Sequence, residues 1–217
     1  MRFFLLYVLC IIYPCLVFSE NVGSDFPDSH AFYIGANGGY GSTTWIGLVP
    51  EIENQNIVLT MSTPIDVQEG GGVWGGFVGV EFTPFFALEV NYLSYPDATV
   101  FFDKDSFFSF ENNEQTDLNT KTQAISLMAK FMLTLPRTHV RAYSSLGIGG
   151  IHRNDEMNNI WIATPSFGVG LNYVFTKHVM GELAGNYMSG YGTSELNPAK
   201  DYVPFLYAAY ARIAYRV

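Results

Sequence analysis

Past residue 15 the chain has no cysteine, since Cys10 and Cys15 both fall in its first apolar stretch. That excludes a disulfide framework, a thiol nucleophile and a sulfur-ligated metal in everything that follows. Charge is scarce too: 14% of residues are charged and 48% apolar, a balance unlike that of an ordinary soluble domain. Bases are fewer than acids, 11 against 20. With no basic patch to neutralise phosphates, nucleic acid is excluded as a partner.

Chemical constellations are missing as well. His30, His139, His152 and His178 have no second histidine or carboxylate at zinc-site spacing, and no His-x-Ser arrangement occurs, although Asp155 follows His152 closely. Gly70-Gly71-Gly72 opens no helical pattern and is no phosphate loop. Asp103-Lys104-Asp105 lacks the glycine and terminal glutamate of a calcium loop. No catalytic residue, metal ligand or cofactor is expected, and the chain reads as a non-enzyme.

Long apolar runs are confined to one, Phe3 to Phe18. It is shorter than the ~20 residues of a spanning helix, and Pro14 interrupts it. It follows Met1-Arg2 and ends in Val17-Phe18-Ser19 before Glu20. The expectation is a secretory signal peptide over 1–19 and one mature domain over 20–217.

What the chain does have is alternation. At its end Phe205, Tyr207, Ala209, Ala211, Ile213, Tyr215 and Val217 share one face, and Arg212 and Arg216 fall on the other. The same period of two marks eight strands, at about 31–41, 72–82, 86–95, 120–134, 139–150, 164–175, 178–188 and 203–217. Each is long enough for a tilted crossing, and an even number closes without an edge in lipid. The predicted fold is all-β: an eight-stranded antiparallel up-and-down transmembrane β-barrel.

Connections alternate in length. Brief turns stand at Thr83-Pro84-Phe85, Leu135-Pro136-Arg137-Thr138 and Thr176-Lys177, and longer segments at 42–71, 96–119, 151–163 and 189–202. Short turns face the periplasm and long loops the exterior of a bacterial outer membrane, which puts both termini in the periplasm. The four long segments hold 14 acidic residues against three basic, so the chain's acidity belongs to the loops.

Phe32-Tyr33-Ile34-Gly35-Ala36, Gly75-Gly76-Phe77-Val78-Gly79-Val80-Glu81-Phe82, Phe86-Ala87-Leu88-Glu89-Val90-Asn91-Tyr92, Gly181-Glu182-Leu183-Ala184-Gly185-Asn186-Tyr187 and the terminal Ala214-Tyr215-Arg216-Val217 resemble the eight-stranded outer-membrane barrels of the OmpA transmembrane-domain, OmpX and opacity-protein group. The resemblance covers the mature chain apart from its loops. It implies outer-membrane lipid and the barrel-assembly machinery as partners. It departs from the group in ending on Val217 rather than an aromatic residue, and no peptidoglycan-binding domain follows the last strand.

The inward face carries Glu81, Glu89 and Glu182 against Lys130, Arg141, Arg212 and Arg216, all placed toward periplasmic strand ends. Isolated buried charges are costly, so they should pair. One reading is a polar plug in a lumen too narrow for anything but side chains; the other is a gate or small-ion path. Tyr, Phe and Trp at both strand ends suggest two interfacial girdles. Trp45, Phe107, Phe108, Phe110 and Trp161 fall in loop segments. They read as a hydrophobic cap or as contacts to a host or envelope surface ligand. The leading expectation is a structural and surface-interaction barrel, against a small channel and a membrane enzyme.

Overall fold

The computed structural model describes residues 31–49, 64–104, 116–136, 138–191 and 202–217. The segment 1–19, expected to be a signal peptide, and Phe107, Phe108 and Phe110 lie outside these residues. The described strands are β1 (Ala31–Thr43), β2 (Asp66–Gln68), β3 (Gly71–Thr83), β4 (Phe86–Ser94), β5 (Ala98–Phe101), β6 (Asp117–Thr134), β7 (Val140–Asn154), β8 (Asn159–Val174), β9 (Val179–Met188) and β10 (Leu206–Arg216).

Eight of them, all but β2 and β5, form the wall. Their order is β4-β3-β1-β10-β9-β8-β7, and β6 bonds both β7 and β4 to close the ring. First and last strands meet antiparallel, with Ile34 opposite Tyr215 and Asn37 opposite Arg212. A one-residue slip would turn every side chain to the wrong face, so alternation pins the register. Along β10 the pattern is strict: Leu206, Ala208, Tyr210, Arg212, Ala214 and Arg216 are buried and the residues between them exposed. Closure leaves no unpaired wall edge.

One rim of the barrel holds the described chain ends and the turns Thr83–Phe86, 135–139 and Phe175–His178; we call it the terminal rim. The opposite, loop rim departs from the sequence expectation. The segment 151–163 is not a loop: β7 runs to Asn154 and β8 begins at Asn159, leaving only Asp155–Asn158 as a turn. Outward apolar residues thin out there, so alternation alone ends the strands too early.

The segments 42–71 and 96–119 also contain structure. A 3-10 turn spans Trp45–Leu48. Strand β5 pairs with the extension of β6, Val100 opposite Leu118, and β2 pairs with β5, Val67 opposite Val100. These short strands continue the wall beyond its apolar band and bring a second set of apolar side chains over the lumen.

Candidate functional site

Seven charged side chains fill the terminal half of the lumen, all of them buried. They form two tiers. Nearer the terminal rim, Glu81 accepts from Arg141 at 2.7 Å and from Arg216 at 3.2 Å. Deeper in, Lys130 donates to Glu182 at 2.6 Å and lies 3.7 Å from Glu89. Arg212 bridges the same two carboxylates, Glu89 at 2.6 Å and Glu182 at 2.8 Å. The second tier therefore sits well inside the wall and not at strand ends, as its residue spacing had suggested.

Neutral groups complete the network. Asn172 accepts from the Arg141 guanidinium and donates to Glu182 at 2.8 Å, joining the tiers. The Tyr33 hydroxyl donates to Glu89 at 3.0 Å, and that of Tyr143 to Glu182 at 3.1 Å. Lys130 lies over the Tyr143 ring at 3.9 Å and Arg212 over Phe77 at 3.5 Å. Each inward ring stands opposite a glycine on the neighbouring strand: Tyr33 opposite Gly79, Phe77 opposite Gly35, Tyr143 opposite Gly170. A methyl group at Gly79 would run into the Tyr33 ring, and one at Gly170 would meet Tyr143 at 2.6 Å. The strand glycines thus make room for the tyrosines that satisfy the carboxylates. Sequence reasoning found the charges, and its alternation puts Tyr33, Tyr143 and Asn172 on the inward faces, but it did not join them to the network, because that needs the register that sets each tyrosine opposite a glycine.

Above the charges the filling changes. Asn37 donates to Asn91 at 2.9 Å, and beside these lies a cavity of about 10 Å³ lined by Glu89, Lys130, Asn186, Tyr210 and Arg212. Such a space holds about one water molecule. The next layer is apolar: Val73, Leu93, Ala124, Ile151, Met188 and Leu206 pack together inside the barrel, with Leu206 and Ile151 at 0% exposure. The lumen is therefore not polar throughout.

A cap closes the loop rim. Trp45, Leu48, Val67, Ala98, Val100, Phe102, Leu118 and Tyr202 form its core. Trp45 is 1% exposed, packs edge-on against Tyr202 at 5.2 Å and lies under the Arg153 guanidinium at 4.7 Å. Its assignment as a surface contact is corrected: the ring is inside, because the 3-10 turn folds it back over the lumen. Arg153, 0% exposed, pairs with Asp155 and donates to the Tyr202 carbonyl. Asp155 also accepts from Thr120 at 3.2 Å. These two charges are interior links between strands and not loop surface.

Glu69 accepts from the Trp45 backbone N–H at 2.7 Å and from Thr43 at 3.3 Å. Its partial burial raises its pKa above the ordinary carboxylate range, and the Trp45 N–H opposes the shift. Burial likewise raises that of Tyr202.

Trp161 is on the outward face of β8, 58% exposed, with its ring stacked on His152 at 4.7 Å. It belongs to an aromatic girdle with exposed Tyr40, Trp74, Phe205 and Tyr207; Phe32, Tyr173, Phe175 and Tyr215 make the girdle at the terminal rim. His178 stacks on Tyr215 and His139 packs edge-on against Tyr173. Between the girdles the wall is aliphatic, with Ile34, Val78, Leu127, Ile148, Val169 and Leu183 exposed. An apolar band bounded by aromatics on a closed barrel is the outside of a bilayer-spanning protein.

No protein-family profile matches the chain, and no curated protein matches its sequence. Solved structures do. The outer membrane protein OprG from Pseudomonas aeruginosa superposes with a TM-score of 0.54 at 10% identity, over 89% of this chain and 98% of OprG. Neisserial surface protein A gives 0.52 at 11% identity, over 86% of this chain and 99% of that one. At such identities the likeness is one of fold, and it agrees with the closed ring, the inward charges and the girdled apolar wall: the chain has the fold of the small eight-stranded outer-membrane β-barrels.

Proposed function

We propose that the protein is a structural and surface-interaction barrel of the bacterial outer membrane, with both termini in the periplasm and its acidic loop end outside. The observation that carries this reading is the sequence of fillings along the lumen: paired charges, an apolar layer, then a cap. Among the described residues the interior space beside the charges is about 10 Å³, room for about one water molecule. A dry apolar constriction opposes ion passage even where a narrow gap exists. The loop end, rather than the lumen, is left to act. Surface loops on a rigid scaffold are where binding concentrates.

On this reading lipid and the assembly machinery are constitutive partners and a host or envelope surface component is the functional one. Residues 105–115, which lie outside the described residues and include Phe107, Phe108, Phe110, Glu111 and Glu114, are the contact region on this reading. Removing 97–117 would be too much, because it deletes β5 and unseats Leu118 from the cap. Replacing 105–115 by a short Gly-Ser linker should leave the heat-modifiable barrel intact. It should abolish adhesion of bacteria displaying the protein to cultured host cells and to one another. Adhesion unchanged by that replacement would sink the surface-interaction role.

A further inference from the structure

Among the described residues, the outer face of the wall carries a groove. Tyr173, Gly181 and Ile213 stand side by side on β8, β9 and β10, and the middle member has no side chain. Phe175 and Leu183 border the gap along the strands. The result is an open groove of about 520 Å³, within the size range of small-molecule pockets. Tyr173, Phe175, Leu183 and Ile213 are all exposed, so the groove opens outward, into the apolar band. The Phe175 ring leans over its floor: a methyl group added at Gly181 would meet that ring at 2.7 Å.

Directly beneath, the Phe175–His178 turn presents Lys177, which is exposed. His178 is occupied, stacked on Tyr215 with Nδ1 3.1 Å from the Arg216 carbonyl oxygen. In sequence the terminal-rim turns contain Arg137, His139, Lys177 and His178 and no acidic residue between 83 and 86, 135 and 139, or 175 and 178. An apolar groove on the bilayer-facing wall, with a cation two residues beyond Phe175 on turns whose charged residues are all basic, matches an acyl chain carrying a negative headgroup.

We propose that this groove binds one anionic phospholipid, its acyl chain along Tyr173, Leu183 and Ile213 beside the Phe175 ring and its phosphate at Lys177. The site rests on the membrane-spanning reading above, since only there does hydrocarbon meet this face. A neutral phospholipid gains the groove but not a net-charge attraction to the basic rim. The cation therefore sets headgroup preference, and the notch sets whether a lipid is held at all.

Native mass spectrometry tests both parts. The full chain is released from detergent micelles doped equally with dioleoyl phosphatidylglycerol and dioleoyl phosphatidylcholine. One retained phospholipid per chain is expected, with the glycerol headgroup favoured roughly five-fold, the factor one lysine contributes at an anionic surface. Lys177→Gln should keep one lipid and bring the preference to unity. Gly181→Leu should abolish retention. Ile213→Trp fills the groove from the next strand and replaces it if the glycine variant does not give a heat-modifiable barrel. Equal retention of both lipids by the unaltered chain, retention untouched by the groove-filling variants, or a dimer joined through this face would overturn the site. A chain that does not insert into vesicles at all would overturn the membrane reading instead, so the two failures are distinct.

Discussion

The two halves of the lumen are built under one wall and filled by opposite means. Toward the terminal rim the interior is ionic: three carboxylates and four bases interlock through Asn172, Tyr33 and Tyr143. Toward the loop rim it is a small hydrophobic core, Val73, Leu93, Ile151, Met188 and Leu206, roofed by the Trp45 cap. Between the girdles the outer face shows no such division, because hydrocarbon covers that band along both halves. Inside, each half solves the same problem, how to occupy a space too narrow for solvent. The ionic half needs every partner in place, since a buried charge without one is costly; the apolar half needs only shape. The ionic half therefore specifies register and partners, and the apolar half seals.

Breaking the ionic half should have the larger effect. Arg212→Leu leaves Glu89 and Glu182 without their shared guanidinium, and unfolding by urea in micelles should show a loss of about 3–5 kcal/mol. Removing both partners of one pair sharpens the point. Lys130→Met combined with Glu182→Leu should cost less than Lys130→Met alone, because the deeper tier is then left with one carboxylate, Glu89, on the Arg212 guanidinium instead of two. If the double variant is worse than either single one, packing rather than pairing dominates that tier.

In the apolar half, Leu206→Ala should cost about 2–4 kcal/mol in the same measurement, from lost transfer energy and the cavity left behind. That loss should not depend on salt or pH. In the cap, Trp45→Phe removes part of the contact with Arg153 and Tyr202, an effect of about 1 kcal/mol. It should appear as faster proteolysis of the loop end with the barrel's melting unchanged.

The smallest effect expected is a pH dependence of the cap. The pKa of Glu69 is raised in the fold by burial, so the folded state binds its proton more tightly than the unfolded one. Stability from this group is complete at low pH and is lost as pH rises from the ordinary carboxylate range through the raised value. Amide exchange at the Trp45 N–H, which donates to Glu69, should quicken across that window, and Glu69→Gln should flatten the response.

Alternation made the wall legible from sequence because it reports which side of a strand meets an apolar phase, and β10 shows it without a break. The inward charges were legible for the same reason. The cap was not. Trp45 and Arg153 lie in segments with no period of two, and their burial depends on β2, β5 and Tyr202, distant in sequence, arriving above the same opening. Trp161 was misplaced in a loop because His152, Asn154 and Asn159 end the apolar pattern before the hydrogen-bonded ladder ends. The apolar layer was overlooked because Val73, Leu93 and Ile151 face inward amid strands whose other inward residues are, Phe77 apart, small or polar.

The central claim is that the lumen is sealed, and planar-bilayer recording of the purified, folded chain tests it most directly. A sealed barrel inserts without steps of conductance, and neither Lys130→Gln nor Leu206→Ala should create stable ones. Reproducible openings by the unaltered chain that disappear with substitutions at Lys130 or Arg212 would contradict the account and make the charge network an ion path.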